Sequence, residues 1–299
     1  MNTIVAIPFD DELAGFIGKK GSENSMTFYN RKINDDVIVG MMPSSIEEKF
    51  YALPQSLLIA DQIAVSTKSI DKLFGEVLVA CSLLGKKTIF TKDNDITKIL
   101  SGITIEKISF VESGEIVSAI ISSEQEPQSD ETRVDLDRAF NVKGVGTVFL
   151  GVVTKGTVKV HDTLYHNSGK VATIRSIQSQ DQDVKEASKG TRVGLAIKGI
   201  DEADVQKGDV LSKRQIKSAK TLELEVKKSG FVSEPIEVGK MYSIAIGFSY
   251  SVATVEKVEG NAIVVRLEKS IPVEEKDQFM LVRALSPRIF ASGSVTKAD

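Results

Sequence analysis

The feature that most constrains this chain is a change of rhythm across residues 122–132. That segment reads Ser122-Ser-Glu-Gln-Glu-Pro-Gln-Ser-Asp-Glu-Thr132, with no apolar residue and one proline. This is the composition of a linker. Before it, short apolar runs alternate with helix-like stretches. After it, strand-like runs follow one another at short spacing. One core cannot serve both rhythms, so the 299 residues divide into an α/β part and an all-β part.

In the α/β part, residues 3–7 are a β-branched run that reads as a buried strand. Asp10 and Asp11 then suit a helix N-terminus by capping and by charge, and the helical stretch runs through Leu13, Phe16 and Ile17. Residues 36–40 form a second strand. Pro43-Ser-Ser-Ile-Glu-Glu-Lys-Phe50 begins like a helix, with Ser44 or Ser45 as its cap. Residues 56–66 pass into a third strand. Residues 69–84 are amphipathic, with Leu73, Val77, Ala80 and Leu84 at helical spacing, and stop at Gly85. Residues 88–91 are another strand, and 103–108 and 116–121 read as weaker ones. The alternation predicts a mainly parallel sheet over residues 1–121.

In the all-β part, strand patterns occupy 146–153, 156–160, 171–177, 191–197, 222–226, 242–246, 251–258 and 262–267. Gly or charged turns separate them, which predicts barrels rather than an open sheet. The polar, basic stretch 212–220 divides this part into two units, 133–215 and 216–299.

Charge, cysteine and histidine narrow the chemistry. Residues 1–127 hold 12 Lys+Arg and 18 Asp+Glu, and the remainder holds 26 and 23, within a total net charge of −3. The halves therefore suit different partners. Cys81 is the single cysteine and His161 and His166 are the two histidines. A disulfide framework and thiolate or His-rich metal sites are thereby excluded, and no metal is expected. Cys81 lies among Val77, Leu78, Val79 and Leu84 and reads as a core residue, and the two histidines read as surface residues. No run approaches the roughly 18 apolar residues of a membrane span. The first residues turn acidic with no basic leader, so the expected location is the cytoplasm.

One stretch is specific. Phe140-Asn-Val-Lys-Gly-Val-Gly-Thr-Val-Phe-Leu-Gly-Val-Val-Thr-Lys-Gly156 is followed by Val158-Lys-Val-His-Asp-Thr-Leu164 and Arg175-Ser-Ile-Gln178. Lys189-Gly-Thr-Arg-Val-Gly-Leu-Ala-Ile-Lys-Gly-Ile200 and Lys207-Gly-Asp-Val-Leu211 complete the series. Together these resemble the second domain of translational GTPases, the barrel shared by elongation factor Tu and its relatives. Among those relatives the likeness is to the archaeal selenocysteine-specific elongation factors. Gly239-Lys-Met-Tyr-Ser-Ile-Ala-Ile-Gly-Phe248, residues 262–273 and Asp277-Gln-Phe-Met-Leu-Val-Arg283 resemble the third-domain barrel more loosely. The resemblance implies a GTPase domain over 1–121 followed by two barrels.

The nucleotide motifs of such a domain are absent. A P-loop needs Gly-x-x-x-x-Gly-Lys-Ser/Thr, whose backbone amides wrap the phosphates while the lysine neutralises them and the hydroxyl binds Mg²⁺. The loop here is Pro8-Phe-Asp10-Asp11-Glu-Leu-Ala-Gly15. It offers three carboxylates and no lysine, and repels a triphosphate. The Asp-x-x-Gly loop is replaced by Met41-Met-Pro-Ser-Ser45. The guanine-reading Asn-Lys-x-Asp is sought after residues 88–90, where Thr91-Lys-Asp-Asn-Asp95 keeps only a vestigial Lys92. The expectation is a degenerate GTPase-like domain with no nucleotide cofactor and no catalytic residue.

Lys143, Arg175, Arg192 and Lys198 lie in the recognisable barrel. In the family that barrel helps hold the aminoacyl end of tRNA, so the resemblance implies a tRNA or RNA contact there. Lys198 stands where relatives carry arginine, which keeps the charge and loses the planar fork. Lys213, Arg214, Lys217 and Lys220, followed by Lys227 and Lys228, are candidate phosphate contacts by density. Ile17-Gly-Lys-Lys-Gly21 imitates a KH-domain clamp but reads better as a charged helix end. The expected function is a non-catalytic, elongation factor-like protein that binds tRNA, the ribosome or a translation factor. A protein–protein adaptor on the same scaffold, and an active GTPase with atypical loops, are the alternatives.

Overall fold

The computed structural model describes residues 2–34, 36–123 and 129–299. The first domain is built on β1 (Asn2–Ala6), α1 (Asp11–Ile17), β2 (Lys19–Glu23), β3 (Met26–Ile33), β4 (Asp36–Pro43) and α2 (Ala52–Ile59). It continues with β5 (Gln62–Val65), α3 (Lys72–Leu84), β6 (Lys87–Thr91), α4 (Thr97–Leu100), β7 (Ile108–Val111) and α5 (Ile116–Ile121). The sheet runs β2-β3-β4-β1-β5-β6-β7. From β4 to β7 it is parallel, while β2 and β3 are antiparallel additions at one edge. The buried strands β1 and β5 read as continuous apolar runs because both sheet faces are covered.

Local chemistry sets the helix boundaries. The Asp71 side chain accepts from the Phe74 amide at 2.9 Å and opens α3. Gly85, at φ 64°, closes it in the left-handed conformation. Phe74, Val77, Leu78 and Cys81 form the buried stripe of α3, each large side chain contributing about 1.5–3 kcal/mol by burial.

Four local expectations differ from the structure. Residues 19–23 form an edge strand rather than a helix end, because α1 stops at Ile17 and β3 supplies hydrogen-bonding partners. Residues 44–51 are turns and the helix starts at Ala52. Ser44 is held instead by the Ser25 carbonyl and the Thr27 hydroxyl. Residues 116–121 are helical, since Ile116 and Ile120 are buried four positions apart on one face. The strand expected at 103–108 begins only at Ile108. In the linker, 124–128 lie outside the described residues.

The second domain comprises β8 (Arg133–Val142), β9 (Gly146–Lys155), β10 (Thr157–Lys159), β11 (Thr163–His166), β12 (Val171–Ser179), β13 (Gln182–Val184), β14 (Glu186–Ser188), β15 (Thr191–Lys198) and β16 (Val210–Ser212). Its circuit β11-β16-β8-β9-β15-β12 closes through the β11–β12 pairing. The third domain is a closed barrel of β17 (Ser218–Lys228), β18 (Met241–Ile246), β19 (Ser249–Glu259), β20 (Ala262–Pro272), β21 (Gln278–Val282) and β22 (Ile289–Ala298). Along β17, Leu222, Leu224 and Val226 point inward while Glu223, Glu225 and Lys227 point out, the period-two pattern of a barrel wall.

The first domain rests on the outside of both barrels. Val152 of the second domain and Phe248, Met280, Val282 and Ile289 of the third share one apolar cluster with Leu53, Leu57, Phe74 and Leu78. Backbones meet closely at two glycines. A Cβ at Gly190 would lie 2.5 Å from the Asn2 backbone, and one at Gly208 would lie 2.7 Å from the Ser249 Cα. Both glycines have positive φ.

Candidate functional site

In an open parallel sheet, ligands bind outside the carboxyl ends of the strands where the order reverses, here around β1 and β5. The loops at that end are closed upon themselves. Asp10, at φ 84°, caps α1, and its carboxylate accepts from the Glu12 and Leu13 amides at 3.0 Å each. An internal anion therefore holds the amides that an external phosphate would need. Pro8 is buried. Asp11 accepts from the Tyr29 hydroxyl at 3.1 Å, and burial followed by that carboxylate pushes the Tyr29 phenol up to about 12. Gly15 lies inside α1 with open space where a Cβ would be, so no close approach requires it.

Lys68, in the loop after β5, reaches this point and pairs with Glu12. The expected Lys92 follows β6, one strand farther out, and lies 3.9 Å from Glu112. Thr67, Thr91 and Asn94 bond the β5 and β6 loops to each other.

Sequence reasoning missed the charged residues that join the domains. Arg133, 5% exposed, donates to Asp135 in its own domain and to Asp277 and Glu274 in the third. Burial disfavours its charge, but Asp135 and Asp277 more than offset this and hold its pKa above the ordinary range. Glu76, 3% exposed on α3, accepts from the Arg288 and Ile289 amides at 2.6 and 3.0 Å and from the Ser286 hydroxyl at 3.2 Å. Arg288 in turn lies 3.5 Å from the Phe50 ring centre.

Lys207 reaches into the first domain. Its Nζ donates to Ser25 and Gln55 at 2.6 and 2.7 Å, and Gln55 donates onward to the Phe248 carbonyl at 2.5 Å. Burial pushes its pKa down to about 8. A lone Lys-Gly-Asp motif could not reveal this, because its partners lie 152 and 182 residues away.

The eight candidate nucleic-acid contacts separate into three groups. Lys143, Arg175 and Lys198 are exposed at one end of the second domain. Arg175 donates to the Val145 carbonyl of the β8–β9 turn, and Ile197 pairs with Thr147 just beyond that turn. Arg192 faces inward instead. It bonds Asp137 at 2.9 Å, reaches Ser22 of the first domain and lies 3.4 Å from the Phe28 ring centre. Burial lowers its pKa against the pull of Asp137. Lys213, Arg214 and Lys217 are exposed on the crossing between the barrels, and Lys220 is exposed at the start of β17. Arg214 pairs with Glu131.

His161 is exposed, but His166 is not the expected surface residue. It is 1% exposed, with Nε2 3.2 Å from Asp209 and Nδ1 2.8 Å from the Ser168 hydroxyl. Cys81 is fully buried, which pushes its thiol up to about 12. Among the described residues no group of three or more His, Cys, Asp or Glu is placed to hold a metal ion, and no helix is long and apolar enough to cross a membrane.

Comparison with known proteins agrees with this architecture. A family profile for elongation factor Tu domain 2 matches residues 146–212. The uncharacterized protein MJ0325 of Methanocaldococcus jannaschii is 32% identical over 276 residues, covering 89% of this chain and 90% of its own. Elongation factor 1-alpha of Pyrobaculum calidifontis is 30% identical over 158 residues, which are 52% of this chain and 34% of that one. The translation elongation factor SelB of Methanococcus maripaludis, solved with the GTP analogue GppNHp, superposes over 100% of this chain and 79% of its own. The TM-score is 0.84 at 20% identity. This chain belongs with MJ0325 in one family, and its second-domain profile and three-domain fold relate it to the elongation factor Tu-like translational GTPases.

Proposed function

We propose that this protein is a non-catalytic member of its family, a pseudo-GTPase of the cytoplasm that binds tRNA, the ribosome or a translation factor without a nucleotide cycle. The observation that carries the reading is the Asp10 cap. Its carboxylate holds the Glu12 and Leu13 amides, and Asp11 and Glu12 add two more negative charges beside it. A triphosphate meets repulsion there and finds no P-loop lysine. Lys143, Arg175 and Lys198 are the proposed contacts to the acceptor end of tRNA. Lys213, Lys217 and Lys220 are secondary phosphate contacts. Arg192 is left out because Asp137 and Phe28 already hold it.

The test is a gel shift with aminoacylated and deacylated tRNA, without nucleotide, at two salt concentrations. Salt-sensitive binding that weakens about tenfold in Arg175→Glu/Lys198→Glu supports the reading. Absence of binding at low salt refutes it for tRNA and leaves the ribosome or a translation factor as the partner. A second reading, a protein–protein adaptor, is favoured by the carboxylates Asp10, Asp11 and Glu12 at the start of α1 and Asp93 and Asp95 after β6. That acidic rim suits a basic partner, and stoichiometric co-purification of one protein free of RNA would favour it.

A further inference from the structure

The outer face of the second barrel carries one aromatic side chain between two groups of cations. Tyr165 of β11 is 39% exposed and Val171 of β12 is 43% exposed. They are direct partners in the β11–β12 ladder, and Thr163 pairs with Thr173 two residues along. Leu164, His166, Ala172 and Ile174 alternate with them and are buried. Closing the barrel uses that inner set, and the pleat leaves Tyr165 and Val171 in solvent.

Cations flank the pair on both sides. Thr173 pairs with Lys198 of β15, which puts Lys198 on the same outer face one strand beyond Val171. On the other side Tyr165 pairs with Ser212, the last residue of β16, directly before Lys213. Residues 213–217 then run beside the turn that joins β11 to β12. Asn167 of that turn donates to the Ser218 hydroxyl at 3.2 Å, and a Cβ at Gly169 would lie 3.1 Å from Gln215 Nε2. Lys170 pairs with Asp204 and Arg214 with Glu131. Lys198, Lys213 and Lys217 are exposed, and among the described residues no carboxylate pairs with them. Neighbouring strands lie about 4.8 Å apart, so one short extended strand of a ligand can touch Lys198, Tyr165 and Lys213 in turn.

The chemistry of this face selects its occupant. An exposed ring between uncompensated cations is what a single-stranded nucleic acid needs, a surface for a base and charges for the phosphates on either side of it. The Thr163 and Thr173 hydroxyls beside the ring can donate to or accept from a sugar. A duplex keeps its bases in the stack and offers the tyrosine no face. A protein partner needs a larger apolar centre than one tyrosine and one valine.

We propose that the outer face of the second barrel is a track for single-stranded RNA, on which a base stacks on Tyr165 beside Val171 while Lys198 on one side and Lys213 and Lys217 on the other hold the flanking phosphates. The track rests on the nucleic-acid reading above and joins its two groups of cations into one path.

Fluorescence anisotropy of a labelled oligouridine of ~12 nucleotides with the full chain tests the track, with the tRNA gel shift run on the same proteins. Salt-sensitive binding of the oligouridine is expected. Tyr165→Ala should weaken it about tenfold and Tyr165→Phe should keep it, because stacking needs the ring and not the hydroxyl. Lys213→Ala/Lys217→Ala should lower the log–log salt slope by about 1.4, or ~0.7 per lost phosphate contact. A 4-thiouridine oligonucleotide should crosslink to the peptide that carries Tyr165. All three variants lie on the surface, so unfolding midpoints should not move. A tRNA shift with no oligouridine binding at low salt overturns the track and leaves the tRNA reading standing. Absence of both overturns both. Oligouridine binding without a tRNA shift supports the track and gives it an RNA other than tRNA. Oligouridine binding that Tyr165→Ala leaves unchanged overturns the track.

Discussion

At the carboxyl ends of the first-domain strands, the segments after β1, β5 and β6 are bonded internally: Asp10 to the α1 amides, Glu12 to Lys68, Asn94 to Thr67. At the hairpin end of the second domain, Lys143, Arg175 and Lys198 stand in solvent. Both regions keep the backbone of their family. They differ in where their polar groups point. A sheet or barrel survives when its apolar alternation survives, whereas a ligand site needs particular side chains left unsatisfied by the protein itself. In the proposed account the first domain has therefore become scaffold while the second still offers chemistry.

The largest expected effect concerns the joints that hold this arrangement. Arg133→Met leaves Asp135 and Asp277 buried without their cation and should cost about 3–5 kcal/mol in chemical denaturation. A loss below 1 kcal/mol would show that the barrels do not depend on this joint. Glu76→Ala strips the acceptor from the Arg288 and Ile289 amides and should cost about 1–3 kcal/mol. Limited proteolysis should then release the first domain sooner than the barrels.

Asp10→Ala removes the α1 cap and should cost about 1 kcal/mol. It should yield no GTP binding, because Asp11 and Glu12 remain and no lysine enters. Acquired GTP binding would mean that one carboxylate alone separates this domain from its relatives. A different kind of effect is on pH dependence. Burial lowers Lys207 from 10.5 to about 8. Between those values the unfolded chain holds a proton that the folded chain has released, so stability should rise with pH across that window. Lys207→Met should flatten the rise, as read from unfolding midpoints in a buffer series.

The three-domain plan was legible because it is written in short-range patterns. The Asp71 and Gly85 caps of α3, the alternation along β17 and the glycine-punctuated run from 140 to 156 each lie within one element. The joints were not legible. Arg133 meets residues 141 and 144 positions away, and Glu76 meets residues more than 200 away. In the sequence these are ordinary charges, and only the packing of three domains buries them. The same holds for His166 and Arg192, which tertiary contacts draw out of solvent. The strand at 19–23 was missed because Lys-Lys-Gly-Ser-Glu carries no strand pattern and owes its form to β3.

Titration of the purified chain with GTP and Mg²⁺ by isothermal calorimetry tests the central claim most directly. The account expects no saturable heat up to ~100 μM nucleotide, with or without magnesium. Saturable, Mg²⁺-dependent binding in the micromolar range or tighter would contradict it and return this chain to the active members of its family.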